Sequence, residues 1–248
     1  MALVEHTLED HVAIVTMNQD DNRLNPSFID AFLDVLDKLD HETDARTLVV
    51  TSSHEKIFSN GLDLEWLLPA FRKQHDDTIK DFFVRINKLF SRILLYPMVT
   101  IAAISGHAFA GGAILACAFD FRFMRTDRGY FCLNEVELGI PLLPGMNSLL
   151  KKAIPLNTLV EMELTGKRLT AQECKSHGIV TDALHLDDLM DKTLEFAKGL
   201  KKEKAVVQEM KKRLYKDIVH ALVVEDPACV ASEDFYGPWM ALVQSLNR

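Results

Sequence analysis

The sequence predicts an α/β fold with parallel strands, followed by a mostly helical carboxyl-terminal region, and three observations carry that prediction. Short β-branched runs alternate with stretches of helical apolar spacing through most of the chain. Two glycine-containing turns each follow a strand and lead into an apolar helical stretch. Beyond residue 155 strand signals become few. A length of 248 residues suffices for one large domain, and 48% hydrophobic with 26% charged residues is ordinary globular usage.

Taken in order, Val4, His6 and Leu8 and then Val12, Ile14 and Thr16 alternate with their neighbours, which predicts two strands and a hairpin. The polar cluster 18–23 ends the run. Asn25 followed by Pro26 opens a helix, the amide placed to cap free N–H groups and the proline tolerated at the first helical position. Phe28, Ile29, Phe32, Leu33, Val35 and Leu36 then recur at helical spacing. Residues 47–52 form a short apolar run suited to a buried strand. A helix over 78–95, a strand over 98–104, a glycine turn, a short helix and a strand over 119–124 repeat the alternation. Helices are expected at 157–164, 171–177 and 189–200, with Gly178 as a left-handed cap after the second. The expected division is a core over residues 1–190 and a helical region over 191–248 that serves oligomerisation or covers the active site.

A net charge of -8 speaks against a nucleic-acid surface, since phosphate binding needs concentrated Lys and Arg. The cluster Lys201, Lys202, Lys204, Lys211, Lys212 and Arg213 is read as a solvated helix face. Cys117, Cys132, Cys174 and Cys229 lie far apart with no CxxC pair, so neither a zinc site nor a disulfide framework is expected. The longest apolar stretch, 98–115, is broken by Ser105, Gly106 and His107, so no membrane span is expected. No basic-then-apolar leader is read at the start, and the final Ser-Leu-Asn-Arg is not the Ser-Lys-Leu address. A bacterial cytoplasmic setting is expected, with mitochondrial matrix and peroxisome as alternatives.

Two turns stand out chemically. Phe58-Ser59-Asn60-Gly61-Leu62-Asp63-Leu64 leaves the buried strand, and Ala110-Gly111-Gly112 opens the short helix, where unpaired N–H groups and the helix dipole would face an anion or a developing oxyanion. Each by itself also reads as plain strand-to-helix packing. Together they resemble the crotonase (enoyl-CoA hydratase/isomerase) superfamily over residues 12–184. The first turn is similar to that family's Phe-Ser-Ala-Gly-x-Asp-Leu and the second to its second glycine turn. Asp120 and Leu164-Thr165-Gly166-Lys167-Arg168-Leu169-Thr170-Ala171 also look like family segments. The resemblance implies a ββα spiral core, an oxyanion hole made by the N–H groups of Leu62 and Gly111, and acyl-CoA as substrate. It further implies no metal, no separate cofactor, and a homotrimer or dimer of trimers. Ser59, Asn60, Gly61, Asp63, Gly112, Ile114, Leu133 and Leu142 are the expected substrate-binding residues. Asn60 stands where the family has alanine, in a stretch whose backbone carbonyls contact adenine in relatives.

Carboxylates distinguish the reactions. Where hydratases have a glutamate in the helix after the second turn, this chain has Ile114; at the second glutamate position it has Glu135 within Leu133-Asn134-Glu135-Val136-Glu137-Leu138-Gly139-Ile140. That pairing looks like the delta-3,delta-2 enoyl-CoA isomerases, and Ile140-Pro141-Leu142-Leu143-Pro144 replaces the hydratase glycine-rich segment. One carboxylate suffices to move a proton from carbon 2 to carbon 4, and each oxyanion donor is worth about 3 kcal/mol. Ile114, Leu133 and Leu142 are expected to form an apolar wall that raises the proton affinity of Glu135 and keeps water out. Glu137 is a rival set aside by the motif match, and His107 lacks a partner at a recognisable spacing. Arg23, Arg72 and Lys73 are read as solvated charges before CoA-phosphate ligands. Hydration, thioester hydrolysis, decarboxylation and silent CoA binding are the alternative functions. Acyl chain length depends on how Trp66, Leu67, Phe71, Phe82 and Phe83 fold over the pocket.

Overall fold

A computed structural model describes residues 2–246. The amino-terminal hairpin forms as expected, β1 (Val4–Glu9) pairing antiparallel with β2 (Val12–Met17). Helix α1 (Pro26–Glu42) opens with the Asn25 side chain accepting from the Phe28 N–H at 3.0 Å, and Pro26 sits at its start. Strand β3 (Thr47–Ser52) is buried at all six positions, because it is an inner strand and apolar clusters pack on both of its faces.

From β3 onward the chain repeats one unit: a strand for a large sheet, a strand for a small one, then helix. The first unit is β3, β4 (Ile57–Ser59), α2 (Leu64–Arg72) and α3 (Asp76–Leu94); the second is β5 (Val99–Ile104), β6 (His107–Phe109) and α4 (Gly111–Ala118). The third is β7 (Phe121–Arg125), β8 (Phe131–Cys132) and α5 (Glu135–Leu138). The chain continues through α6 (Pro144–Ala153), α7 (Leu156–Thr165), β9 (Arg168–Leu169), α8 (Ala171–Ser176) and β10 (Asp182–Leu184). The large sheet runs β1-β2-β3-β5-β7-β10, parallel from β2 onward, and the small sheet runs β4-β6-β8-β9, parallel except for its last pair. This is the ββα spiral. The small sheet escaped the sequence analysis because its strands are two or three residues long, too short for a period-two pattern.

One face of the large sheet packs on the main core, while Val12, Val49, Ile101 and Phe123 on the other face pack under Leu189 and Ala197 of α9 (Leu186–Lys198). Helix α9 spans residue 190, where the carboxyl-terminal region was expected to begin. Beyond it run α10 (Lys204–Leu214), α11 (Lys216–His220), a π-helical turn (Ala221–Glu225), α12 (Asp226–Val230) and α13 (Glu233–Ser245). Their Leu222, Val230, Phe235, Trp239 and Val243 join the same apolar cluster as the strands. Two residues depart from the reading of a solvated basic face: Lys204 is half-buried and donates to the Asp40 carbonyl at 2.9 Å, and Lys211 is buried, with Nζ 2.6 Å from Asp120 Oδ2 and donating to the Met98 carbonyl at 2.8 Å. A buried ammonium persists only with such partners, and helical periodicity inside a run of six bases could not single it out.

The carboxyl-terminal helices also hold the start of α6. Asp226, fully buried, accepts from the Gly145 N–H at 2.7 Å and from Asn87 Nδ2 at 3.0 Å, an anion placed at a helix N-terminus. Burial nevertheless dominates and pushes Asp226 up to about 6 from 3.8. Between those values the folded chain holds a proton that the unfolded chain has released, so this residue's contribution to stability rises as pH falls from about 6 toward about 4. Urea denaturation from pH 4 to 7 is expected to show that rise, at most about 3 kcal/mol, in the native chain and to lose it in Asp226→Asn.

Candidate active site

The two glycine turns meet. A Cβ on Gly111 would lie 3.3 Å from the Leu62 nitrogen and 3.2 Å from the Gly61 Cα, so the Leu62 and Gly111 N–H groups are neighbours. Neither donates to a backbone carbonyl among the described residues. Gly111 opens α4, whose eight residues are all buried, so its N–H is an unsatisfied helix-start donor away from bulk water. Just before it Ala110 takes φ +51°, a conformation costly for a residue with a Cβ, held by its N–H donating to the Cys132 carbonyl at 2.9 Å.

The first turn is fixed by a segment the sequence analysis treated only as polar loop. Asn22, fully buried, donates through Nδ2 to the Phe58 carbonyl at 3.0 Å and to Ser52 Oγ at 2.7 Å, while Ser59 Oγ donates to the Asn22 carbonyl at 2.7 Å. The Leu24 N–H donates to the Gly61 carbonyl at 2.7 Å, and the Asp63 N–H to the Leu24 carbonyl at 3.0 Å. Gly61 takes φ +78°, the left-handed region that favours glycine. Asp63 caps α2 by accepting from the Trp66 N–H at 3.1 Å. The far end of α4 is held as firmly: Lys152 Nζ donates to the carbonyls of Cys117 and Phe119 at 3.0 and 2.6 Å, and Arg122 donates to that of Phe119 at 2.8 Å. Burial pushes Lys152 down to about 7.

A cavity of about 440 Å³ opens over the paired amides. Leu62, Gly111, Asn60, Ile114, Leu142 and Glu135 line it. Ser59, Gly61, Asp63, Gly112 and Leu133 do not; they lie behind the surface, Ser59 and Asp63 as hydrogen-bonding props, Leu133 packed in the core. The deep apolar wall is Leu143, Met146, Phe83, Phe235 and Trp239, so α6 and α13 supply much of it. Of the aromatics expected to cover the pocket only Phe83 lines it. Phe71 instead stacks on Trp239 at 4.8 Å and Phe82 packs on Trp66 at 5.1 Å. Which residues of α6 and α13 line the cavity left no sequence signal, because an apolar helix face reads alike whether it meets core or cavity.

Glu135 is the cavity's one carboxylate among the described residues. It sits at the first position of α5, half-buried, with Oε2 shielded and without a hydrogen-bond partner. Burial pushes its pKa up to about 7; its own backbone N–H opposes this and Glu163 adds to it. Glu137 is exposed beside Gly166 and lies off the cavity, so the geometry separates the two glutamates. His107 lines the cavity with Nδ1 accepting from the Tyr130 N–H at 3.2 Å. Burial, then Arg168 and Arg128, lower its pKa, which favours the neutral ring. Arg23 is engaged with Asp21 and Glu65 at 3.1 and 2.9 Å. Among the described residues no three His, Cys, Asp or Glu side chains converge as metal ligands, and no helix is long and apolar enough to cross a membrane.

Residues 7–226 match the family model described as enoyl-CoA hydratase/isomerase. Enoyl-CoA delta isomerase 3 of Arabidopsis thaliana is 30% identical over 209 residues, covering 81% of this chain and 86% of that protein. The peroxisomal enoyl-CoA delta isomerase 2 of the same plant is 31% identical over 175 residues, covering 69% and 73%. Among solved structures the apo Mtb enoyl-CoA isomerase superposes with a TM-score of 0.83 at 22% identity, covering 94% of this chain and 99% of that one.

Gly112 tests how tightly the turns are packed. An added Cβ would fall 2.1 Å from the Ser59 carbonyl oxygen, a backbone atom that cannot swing away. Gly112→Ala is expected to lower unfolding free energy by about 1–3 kcal/mol in urea denaturation, the range for overpacking.

Proposed function

The chain belongs to the enoyl-CoA hydratase/isomerase (crotonase) family, and within it we propose that it is a delta-3,delta-2 enoyl-CoA isomerase that moves a 3-enoyl-CoA double bond to the 2-trans position. The observation that carries this reading is a cavity with one carboxylate, Glu135, and with Ile114 where a second would be needed to activate water. The named isomerases among its relatives support it.

In the proposed reaction the thioester oxygen accepts hydrogen bonds from the Leu62 and Gly111 N–H groups. Glu135 takes a proton from carbon 2; the C–H electrons form a carbon 1–carbon 2 double bond and the carbonyl pair moves onto oxygen. The collapse of this dienolate restores the carbonyl, places the double bond between carbons 2 and 3, and returns the proton from Glu135 to carbon 4. Atoms and charge balance with one carboxylate serving as base and then acid. The amides stabilise charge that is absent from the bound thioester and develops toward the dienolate, which is where binding energy accelerates a reaction. A proton affinity near neutral suits Glu135 to both roles, and the apolar wall of Ile114, Leu142 and Leu143 disfavours water as a competing nucleophile.

No metal or separate cofactor enters the proposed reaction, coenzyme A being part of the substrate. The four cysteines are free, which accords with the bacterial cytoplasm as the proposed setting. The proposed homotrimer would draw on apolar surface such as Val206, Met210 and Leu214, exposed at helical spacing on α10. Phe235 and Trp239 support a role for the carboxyl-terminal helices as an active-site cover.

Incubation with 3-hexenoyl-CoA is expected to yield the conjugated 2-enoyl product, followed by its ultraviolet absorbance. Glu135→Gln should lower kcat by about 10²–10⁴ with little change in KM, as expected for loss of the proton-transfer group. Because the base must be deprotonated, kcat/KM should rise with pH and level off above about 7. Ile114→Glu should introduce measurable hydration of 2-enoyl-CoA; hydration by the unaltered chain at a rate matching isomerisation would instead favour the hydratase alternative.

A further inference from the structure

Glu135 stands in a wall between two cavities. The first is the apolar pocket described above; the second, about 420 Å³, shares Glu135 and the segment 140–142 with it and adds Asn147, Glu163 and the apolar Val136 and Leu164. Glu163 projects from α7, which packs on α5. Its Oε1 is shielded from solvent without a hydrogen-bond partner, as are Glu135 Oε2 and Asn134 Oδ1. A carboxylate oxygen can only accept, so a shielded one without a donor favours the protonated form, which can donate.

We propose that Glu163 is a positioning residue that exchanges the proton of Glu135 with solvent through the second cavity, acting on substrate only through Glu135. The step balances: protonated Glu135 gives its proton to the Glu163 carboxylate, directly or by way of water in the cavity, and Glu163 then releases it to solvent. The opposite side of Glu135 is the apolar pocket, closed by bound acyl chain during turnover, so the rear cavity is the open route. The other groups around the pair are few. Cys132 of β8 is neutral, its thiol raised by burial; Lys151 of α6 lies near Glu163 and opposes the rise that burial causes there; Glu137, on α5 itself, is exposed. The Glu163 charge raises the proton affinity of Glu135 further, and burial raises that of Glu163 itself, so both carboxyls take up a proton more readily than a solvated glutamate.

The inference rests on the proposed function, and its test separates the two. Exchange of the carbon 2 protons of butanoyl-CoA in D2O, followed by proton NMR, reads how fast Glu135 trades its proton with solvent without requiring isomerisation. Glu163→Gln is expected to slow that exchange about tenfold while still converting 3-hexenoyl-CoA, to leave less solvent deuterium at carbon 4 of the product, and to move the rising limb of kcat/KM to lower pH. Glu163→Asp should recover part of the exchange. Lys151→Gln, a change at an exposed position, should shift the pH dependence of exchange upward, and it serves if Glu163→Gln does not fold. Exchange and pH profiles unchanged in Glu163→Gln, or in Lys151→Gln if that variant must serve, overturn the inference and leave the isomerase reading intact. Exchange that depends on Glu163 without isomerisation of 3-hexenoyl-CoA does the reverse, and absence of both in the native chain overturns both.

Discussion

Everything at the site depends on how closely two backbone turns approach. Gly61 and Gly111 lie against each other with no side chain between them, and only that contact sets the Leu62 and Gly111 N–H groups side by side. The contact constrains the rest of the molecule in turn. Gly61 needs its positive φ, Ala110 is held at a positive φ that its Cβ disfavours, and Gly112 leaves no room for a Cβ over the Ser59 carbonyl. Strain of this kind persists only where the surroundings over-determine it. Here they do: Asn22, Leu24 and Ser59 pin the first turn from one side, and Cys132 receives the Ala110 N–H from the other.

Helix α4 turns that geometry into an electrostatic device. The Gly111 N–H at its start is left unsatisfied and faces the cavity, while Lys152 and Arg122 donate to carbonyls at its end. Asp120, one residue past the C-cap, is in turn fixed by Thr100 and paired with buried Lys211, which ties α10 to the same helix end. The carboxyl-terminal helices thus brace the site from behind, and through Asp226 they also hold the start of α6, whose Met146 lines the cavity. A region that reads in sequence as an addition is continuous with the core that positions the chemistry.

The cavity is poor in polar groups, and that poverty has chemical consequences. With Ile114 facing it and no second acid in its lining, Glu135 is desolvated without being ion-paired, so its proton affinity rises toward neutrality. A carboxylate paired to a cation would have moved the other way and lost its use as an acid. Glu163, which lines the second cavity with it, adds a charge of the same sign and pushes in the same direction as burial.

What the sequence determined by itself was everything that short-range pattern encodes. The hairpin, the Asn25 cap, strand β3, the short helix α4 and the left-handed cap at Gly178 follow from periodicity and from residues with special backbone preferences, which act within a few positions. The two turns and the Leu-Asn-Glu loop were likewise legible, since their residues are contiguous. Tertiary structure alone decided the small sheet, whose strands are too short to carry a pattern, and the burial of Lys211, which depends on Asp120 more than ninety positions away. It also sets Glu135 and Glu137 apart in space, where the sequence had only the motif match to prefer the first. Two carboxylates two residues apart are chemically identical in sequence; on a one-turn helix they point to different sides, and only the packing of α4, α6 and α13 makes one of those sides a cavity.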